Sequence, residues 1–213
     1  MKKIISVLAL LCLIRVLFAQ ELKPITLNPP DLKRGLPVME AFSLRASVRE
    51  FTDTRLSLQD LSDLLWAANG VNRKEIGKRT APSAMNTQDI DIYVFMEEGA
   101  YLYDAFSHVL NPVVSGDHRG IFSGPQPNAT KPSVILVMVS DISKFKIPDE
   151  AQKLRGAAMD ASFVSQNICL FCAGMGLSTR PRAGMDIEKV RSVLQLKDTQ
   201  HPILNNPVSY PVK

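Results

Sequence analysis

Apolar and polar positions recur at helical spacing in four parts of the chain. The clearest of these is 57–68, where the apolar residues share one face: Leu58, Leu61, Leu64, Leu65 and Ala68. Ser57 begins this stretch with Asp60 three positions later, which is the spacing of a capping box, and Gly70 ends it. Shorter helices are predicted over 38–44 and 187–196.

Strands and one long helix make up the predicted core. Residues 90–96 alternate enough to form a strand, and residues 100–103 return beside it as a hairpin. Residues 134–139 are continuously apolar, which is typical of a strand buried on both faces. The pattern over 149–174 predicts the longest helix, apolar on nearly all sides after Ala157, and a closing strand starts at Pro202.

The remaining stretches carry loop signals. Residues 20–37 contain four prolines and no apolar period, which indicates an extended arm. Residues 71–80 are polar and basic and are predicted to be a solvated loop. Residues 105–110 form a short helix or turn, and the glycine- and proline-rich stretch 111–131 is either a lid over a pocket or a plain surface loop.

The N-terminus has the pattern of a secretory signal peptide. Lys2 and Lys3 precede an apolar run over 4–19, and Ala19 offers a cleavage position. As a membrane anchor the run is short, and Arg15 would cost about 2.5 to 3.5 kcal/mol at the bilayer centre. We therefore expect a signal peptide at 1–19, an arm at 20–37 and one domain at 38–213, in an exported, periplasmic protein without stable membrane insertion after cleavage.

Charge and composition exclude two classes of protein. The leader holds three of the 25 basic residues and none of the 21 acidic ones, so the mature chain is nearly neutral. A nearly neutral chain lacks the basic patch expected of a protein that binds nucleic acid or anionic lipid. The apolar fraction of 46% excludes a disordered chain.

Cysteines and histidines give no catalytic or metal site. Cys169 and Cys172 are spaced as C-x-x-C, so a disulfide or a thioredoxin-like pair is possible, but they lie inside an apolar helical pattern and core packing is favoured. His108, His118 and His201 stand far apart without metal-ligand spacing, so no metal is expected.

One short run concentrates donors suited to phosphate. Arg45, Ser47 and Arg49 place two guanidinium groups and a hydroxyl within five residues. Guanidinium forks match phosphate oxygens, and a hydroxyl adds an orienting hydrogen bond. The alternative is a solvated surface or a helix cap, which the same residue types also favour.

From Arg45 to Tyr210 the chain resembles the nitroreductase superfamily of FMN-dependent oxidoreductases. Three segments carry the resemblance, in the order in which the superfamily has them. The first is the Arg-x-Ser-x-Arg-x-Phe run at 45–51, the second is the Pro-Ser-x-x-Asn-x-Gln loop at 82–88, and the third is 176–186, similar to the stretch beside the flavin ring. Residues 98–104 also resemble a Gly-x-Tyr-x-Tyr-Asp turn of the azoline-forming peptide dehydrogenase branch.

The resemblance implies a fold, a cofactor and a set of contacts. The fold would be α/β (α+β), with a central mixed, mainly antiparallel sheet flanked by helices and a long core helix forming a homodimer. The FMN phosphate and ribityl end would be held by Arg45, Ala46, Ser47 and Arg49. The flavin of the other subunit would be contacted by Pro82, Ser83, Ala84 and Asn86. The ring would lie along Pro181, Arg182, Ala183 and Gly184, with a backbone N–H bonding N5.

The implied activity is an FMN-dependent oxidoreductase that passes hydride through flavin N5 in a ping-pong cycle on a small-molecule substrate. The cofactor carries this chemistry, so no catalytic side chain is named. NADH or NADPH is the donor in cytoplasmic relatives. The alternatives are an oxygen-using dehydrogenase of the azoline-forming type, the flavin-consuming branch that makes the lower ligand of cobalamin, which export disfavours, and a non-catalytic flavin-binding accessory subunit. Ser209 replaces the usual Gly before Tyr-Pro, and the chain ends at Lys213 without the tail of many relatives, so weaker FMN binding is expected.

Overall fold

Nine strands and four helices occupy the described part of the chain, residues 22–122 and 132–212 of a computed structural model. The helices are α1 Val38–Leu44, α2 Leu58–Asn69, α3 Glu150–Met175 and α4 Ile187–Leu194. The strands are β1 Ile25–Thr26, β2 Val71–Arg73, β3 Lys78–Arg79, β4 Ile90–Phe95, β5 Gly99–Asp104, β6 Val109–Ser115, β7 Val134–Asp141, β8 Ser178–Thr179 and β9 Gln200–Ser209.

Seven of these strands form one sheet in the order β1-β6-β5-β4-β7-β9-β8, and β2 pairs with β3 in a separate hairpin. Each pairing between described strands is antiparallel. The predicted α+β fold, with a mainly antiparallel sheet flanked by helices, is therefore confirmed.

Strand β7 lies between β4 and β9 and is buried on both faces, as its apolar run predicts. Its side chains alternate between two apolar clusters. Leu136 and Met138 join the cluster formed with α2 and α3, whereas Ile135 and Val137 join the cluster formed with α4. The sheet is thus covered by helices on both sides.

Helix α3 packs on the first of these faces and has clear signals at both ends. Asp149 caps its start by accepting the N–H of Gln152 at 2.8 Å. Gly176 ends it in the left-handed region, with φ of 68°. Near its start, Gly156 permits close packing, because a Cβ there would lie 2.7 Å from the ring of Phe145.

Two stretches that the sequence predicts to be loops contain strands. Residues 111–115 belong to β6, where Pro112 is tolerated because the edge strand β1 pairs only with Val109 and Leu110. Residues 71–80 form the β2–β3 hairpin, joined by a short 3-10 helix, Lys74–Ile76. Residues 123–131 of the predicted lid lie outside the described residues.

The described part of the N-terminal arm packs against the domain of the same chain. Strand β1 pairs with β6 at the edge of the sheet, and Arg34 forms ion pairs with Asp60 and Asp63 of α2. The predicted signal peptide at 1–19 lies outside the described residues. Of the helices in the described ranges, none combines the length and the apolarity needed to cross a bilayer.

Cys169 and Cys172 are free, buried thiols on α3. Burial raises the pKa of both thiols, and the amide of Asn206 lies 3.7 Å from the sulfur of Cys169. A buried thiol with a raised pKa is a poor nucleophile. The two cysteines therefore pack in the core, which confirms the prediction.

Candidate functional site

The first segment, residues 45–51, runs from the end of α1 along the edge strand β8. The N–H of Arg45 still bonds the carbonyl of Ala41 in α1, and the N–H of Val48 donates to the carbonyl of Thr179 at 2.9 Å. Just beyond the segment, the N–H of Thr52 donates to the hydroxyl of Ser209 at 3.1 Å. The backbone of the segment is therefore fixed at both ends and in the middle.

The polar side chains of the first segment are exposed and unpaired. Within the described ranges, Arg45, Ser47 and Arg49 form no side-chain hydrogen bond or ion pair with the protein. Arg45 is near enough to α3 for its charge to lower the pKa of Cys169, although burial has the larger, opposite effect. Three donors thus project from a fixed backbone.

The second half of the third segment, residues 176–186, is fastened to Asn205 of β9, whose side chain is buried. Arg182 and Asn205 exchange both backbone hydrogen bonds, at 2.9 and 2.8 Å. The side-chain amide of Asn205 also donates to the carbonyls of Arg182 at 3.2 Å and Gly184 at 3.3 Å. The N–H groups of Ala183 and Gly184 have no acceptor among the described residues, and a Cβ at Gly184 would meet nothing within 4 Å.

The side chain of Arg182 has a structural role. Its Nε donates to Oδ1 of Asn205 at 2.9 Å, and one of its terminal nitrogens donates to the carbonyl of Phe122 at 3.1 Å. Burial, together with the nearby charge of Arg180, lowers the pKa of Arg182 to about 10. Of the four residues predicted to lie along the ring, Arg182 therefore offers its backbone surface rather than its guanidinium group.

Arg180 connects the first and third segments. Its guanidinium carbon lies 6.0 Å from the centre of the Phe51 ring, at the end of the first segment. Its Nε is buried and has no hydrogen-bond partner among the described residues. A buried donor without an acceptor is uncommon in proteins and is a position where a bound ligand would supply one.

The second segment, residues 82–88, is a tight loop fastened to α3. The N–H of Ala84 donates to both carboxyl oxygens of Asp160, each at 2.9 Å. Met85, Asn86 and Gln88 have φ values of 50°, 55° and 47°, a region that residues other than glycine rarely adopt. The hydroxyl of Ser83 stabilises the turn by accepting the N–H of Gln88 at 3.0 Å.

The structure brings the first and third segments together and leaves the second apart along the same chain. The N–H of Val48 joins the first segment to Thr179 of the third, whereas the second segment is attached to α3 at Asp160. Among the described residues, no hydrogen bond joins the second segment to the first or the third.

An open groove of about 880 Å³ lies elsewhere, between the N-terminal arm and the turn at Glu97 and Glu98. Its lining contains no residue of the three segments. A binding site is defined by converging polar groups as well as by volume. The donors of the three segments lie outside this groove, so its size alone does not make it the active site.

Sequence reasoning missed the residues that hold the segments in place, namely Asp160, Arg180 and Asn205. Asn205 and Asn206 are fully buried in β9, where two adjacent amides interrupt the apolar stretch 202–208. Asp160 is likewise a buried carboxyl group in a helix that is apolar around it. A polar residue inside an apolar pattern was the available signal in both cases.

The three segments lie within a single family match. The sequence model described as Nitroreductase family matches residues 43–210. The chain belongs to the nitroreductase family. Membership indicates an oxidoreductase, and it agrees with the sheet and helix arrangement described above.

Individual relatives support the same assignment. A nitroreductase-type protein of Ralstonia eutropha JMP134 has a solved structure with 32% identity and a TM-score of 0.84, covering 90% of this chain and 91% of that one. A relative from Methanocaldococcus jannaschii, itself named as a nitroreductase, is 27% identical over 188 residues, which is 84% of this chain and 93% of the relative. The E. coli microcin synthetase McbBCD complex with truncated pro-MccB17 bound has 21% identity, covers 98% of this chain and 82% of that one at a TM-score of 0.69, and shows the fold alone.

Proposed function

We propose that this nitroreductase is an FMN-dependent oxidoreductase that transfers hydride through flavin N5 in a ping-pong cycle. The observation that carries the proposal is the set of unpartnered donors on the connected first and third segments. Among the described residues, Arg45, Ser47 and Arg49 lack side-chain partners, and Ala183 and Gly184 lack backbone acceptors. These donors suit a ligand with a phosphate at one end and ring acceptors at the other.

The residues present fit such a ligand. Arg45, Ser47 and Arg49 would hold the phosphate and ribityl end, with Ala46 in backbone contact. The N–H of Ala183 or Gly184 would donate toward N5, since that of Arg182 is already bonded to Asn205. The open space above Gly184 leaves room for a flat ring to approach the backbone.

When bound, FMN would accept hydride from a donor and pass it to an acceptor. The protein would supply position and electrostatics. A fixed backbone donor at N5 favours the electron-rich form of the ring without moving during the reaction. Asn205 keeps that backbone in place through its bonds to the carbonyls of Arg182 and Gly184.

A homodimer would complete the site. Helices α1 and α3 expose six large apolar side chains, which we call the α1–α3 surface: Val38, Met39, Phe42, Leu44, Met159 and Phe163. An apolar surface of this kind is what a subunit interface buries. The second segment is attached to α3 at Asp160, close to Met159, so pairing through this surface would carry the loop toward the partner subunit's site.

The substrate is proposed to be a small molecule, and NADH or NADPH is the first donor to test. Export to the periplasm remains part of the proposal, on the pattern of residues 1–19. Export would separate the enzyme from the cytoplasmic nicotinamide pool. A donor other than NAD(P)H is therefore to be tested alongside it.

The tyrosine motif gives no separate support for an oxygen-using dehydrogenase. Tyr103 is buried in β5, and its hydroxyl shares a 2.8 Å hydrogen bond with Nδ1 of His108. Asp104 accepts the N–H of Phe106 at 2.9 Å and the hydroxyl of Ser107 at 2.6 Å. These residues stabilise the turn between β5 and β6, so a structural role accounts for the motif.

The test is the visible absorption spectrum of the purified protein starting at Gln20, with its flavin-to-subunit ratio. We expect the spectrum of bound FMN at about one per subunit, bleached by NADH, NADPH or another hydride donor without oxygen. A colourless protein that also fails to take up added FMN would refute the proposal. Bound FMN that no donor reduces would favour the accessory-subunit alternative.

A further inference from the structure

Two buried carboxyl groups lie against each other beneath the second segment. Asp160, in α3, is 1% exposed, and Asp89, just before β4, is 0% exposed. Both side chains bond to the same turn, Asp160 to the N–H of Ala84 and Asp89 to the hydroxyl of Thr87, and they interact with each other. Two carboxyl groups can share a hydrogen bond only if one of them carries a proton.

Both carboxyl groups also bind the second segment. Asp160 accepts the N–H of Ala84 with both oxygens, at 2.9 Å each. Asp89 accepts the hydroxyl of Thr87 at 3.1 Å and, on its other oxygen, the hydroxyl of Ser140 in β7. The pair thus joins the loop to both α3 and the central strand.

Among the described residues, no lysine or arginine forms an ion pair with Asp89 or Asp160. The nearby charged groups are Asp91, Asp141 and Lys144, and Lys144 is bonded to Asp91 at 3.4 Å and to the carbonyl of Gln88 at 3.2 Å. Burial, and then the bond from Asp89, raise the pKa of Asp160 to about 7.

The loop needs such an anchor because its backbone is strained. The positive φ values at Met85, Asn86 and Gln88 lie in a region that is unfavourable for side chains with a Cβ. A strained conformation persists only where its surroundings hold it. The bonds from Ala84 and Thr87 to the carboxyl pair hold the middle of the loop, and the bonds of Gln88 hold its end.

We infer that Asp89 and Asp160 share one proton and that this pair positions the second segment, so that loss of the proton displaces the loop. Without the proton, two negative charges would lie side by side in the interior and repel each other. The second segment, which is bonded to both carboxyl groups, would move with them. What the loop contacts in the dimer rests on the proposed function, whereas the shared proton does not.

The first experiment measures FMN affinity from pH 5.5 to 8.5 in the full mature protein and in Asp160→Asn. The asparagine can accept the N–H of Ala84 and donate to Asp89 without any titrating proton. We expect FMN binding to the wild-type protein to weaken about tenfold between pH 6 and pH 8, and binding to the variant to stay level. Asp141→Asn, which removes a nearby carboxylate outside the pair, should keep the wild-type profile. Parallel profiles for wild type and Asp160→Asn would overturn the inference.

A second experiment does not need the cofactor. Infrared spectra in D₂O should show a protonated carboxylic acid at neutral pH that disappears at higher pH and is absent from Asp160→Asn. Hydrogen exchange of residues 82–88, corrected for the intrinsic rate, should accelerate over the same range. Absence of the infrared band would overturn the inference even if FMN binds, and its presence would support it even if FMN does not. If Asp160→Asn does not fold, Asp89→Asn replaces it with the same expectations.

Discussion

Replacing Arg45 by alanine separates ligand binding from folding. Arg45 is exposed and has no side-chain partner among the described residues, so the free energy of unfolding should change by no more than about 0.5 kcal/mol. A hydrogen bond to a charged group contributes about 1.5 to 3 kcal/mol. If Arg45 donates to the FMN phosphate, the dissociation constant for FMN should therefore rise roughly 10- to 150-fold.

The assay is a fluorescence titration of FMN and, in parallel, of riboflavin, which has the same ring and no phosphate. Arg45→Ala should weaken FMN binding and leave riboflavin binding nearly unchanged. Arg55→Ala is the matched control, because Arg55 is an exposed arginine outside the three segments that pairs with Glu98. Equal affinities of wild type and Arg45→Ala for FMN, or equal losses for both ligands, would refute the reasoning.

Three further predictions concern the supports of the site. Asn205→Ala removes two donated bonds and one accepted bond at a fully buried position, so the free energy of unfolding in urea should fall by about 2 to 4 kcal/mol. The control Asn111→Ala changes an exposed residue and should lower it by less than about 0.5 kcal/mol, and equal values for the two variants would show that Asn205 does not support the site. Phe163→Glu places a charge on the α1–α3 surface, so light scattering should show a monomer, and the monomer should lack flavin. Ile187→Glu, at an exposed position of α4, should remain a dimer with bound flavin, and a dimeric Phe163→Glu protein would exclude the α1–α3 surface as the interface. Because the pKa of Asp160 is raised in the folded protein, its contribution to stability is full below pH 3.8 and is lost as the pH rises to about 7. In urea unfolding, the wild type should therefore lose up to about 4 kcal/mol relative to Asp160→Asn over this pH range, and a difference that stays constant with pH would contradict the prediction.

Local patterns predicted the helices and the central strands well. The helix at Val38–Leu44 has the predicted bounds, and Ser57 caps α2 by accepting the N–H of Asp60 at 3.0 Å. Caps and apolar spacing act within a few residues, so the sequence contains them directly. Strand β6 was missed because Pro112 normally interrupts a strand, and its tolerance there depends on the short partner β1, which no local pattern reveals.

The candidate site also contains residues that local sequence patterns reveal and residues that they do not. The donors of the first segment are recognisable because they are adjacent in the sequence, and their side chains have no partner among the described residues. The supports could not, since Ala84 meets Asp160, and Arg182 meets Asn205, only after folding. For Arg182 the residue was named, but its guanidinium group turned inward to Asn205 and to the carbonyl of Phe122.

The two outer strands of the sheet have a consequence for solubility. Strands β1 and β8 are each two residues long, and β8 is also covered by the first segment through the bond from Val48 to Thr179. Long, open edge strands are templates on which other chains add and aggregate. The proposed phosphate-binding segment is therefore also a cap on the sheet edge, so changes that detach it should promote aggregation as well as weaken ligand binding.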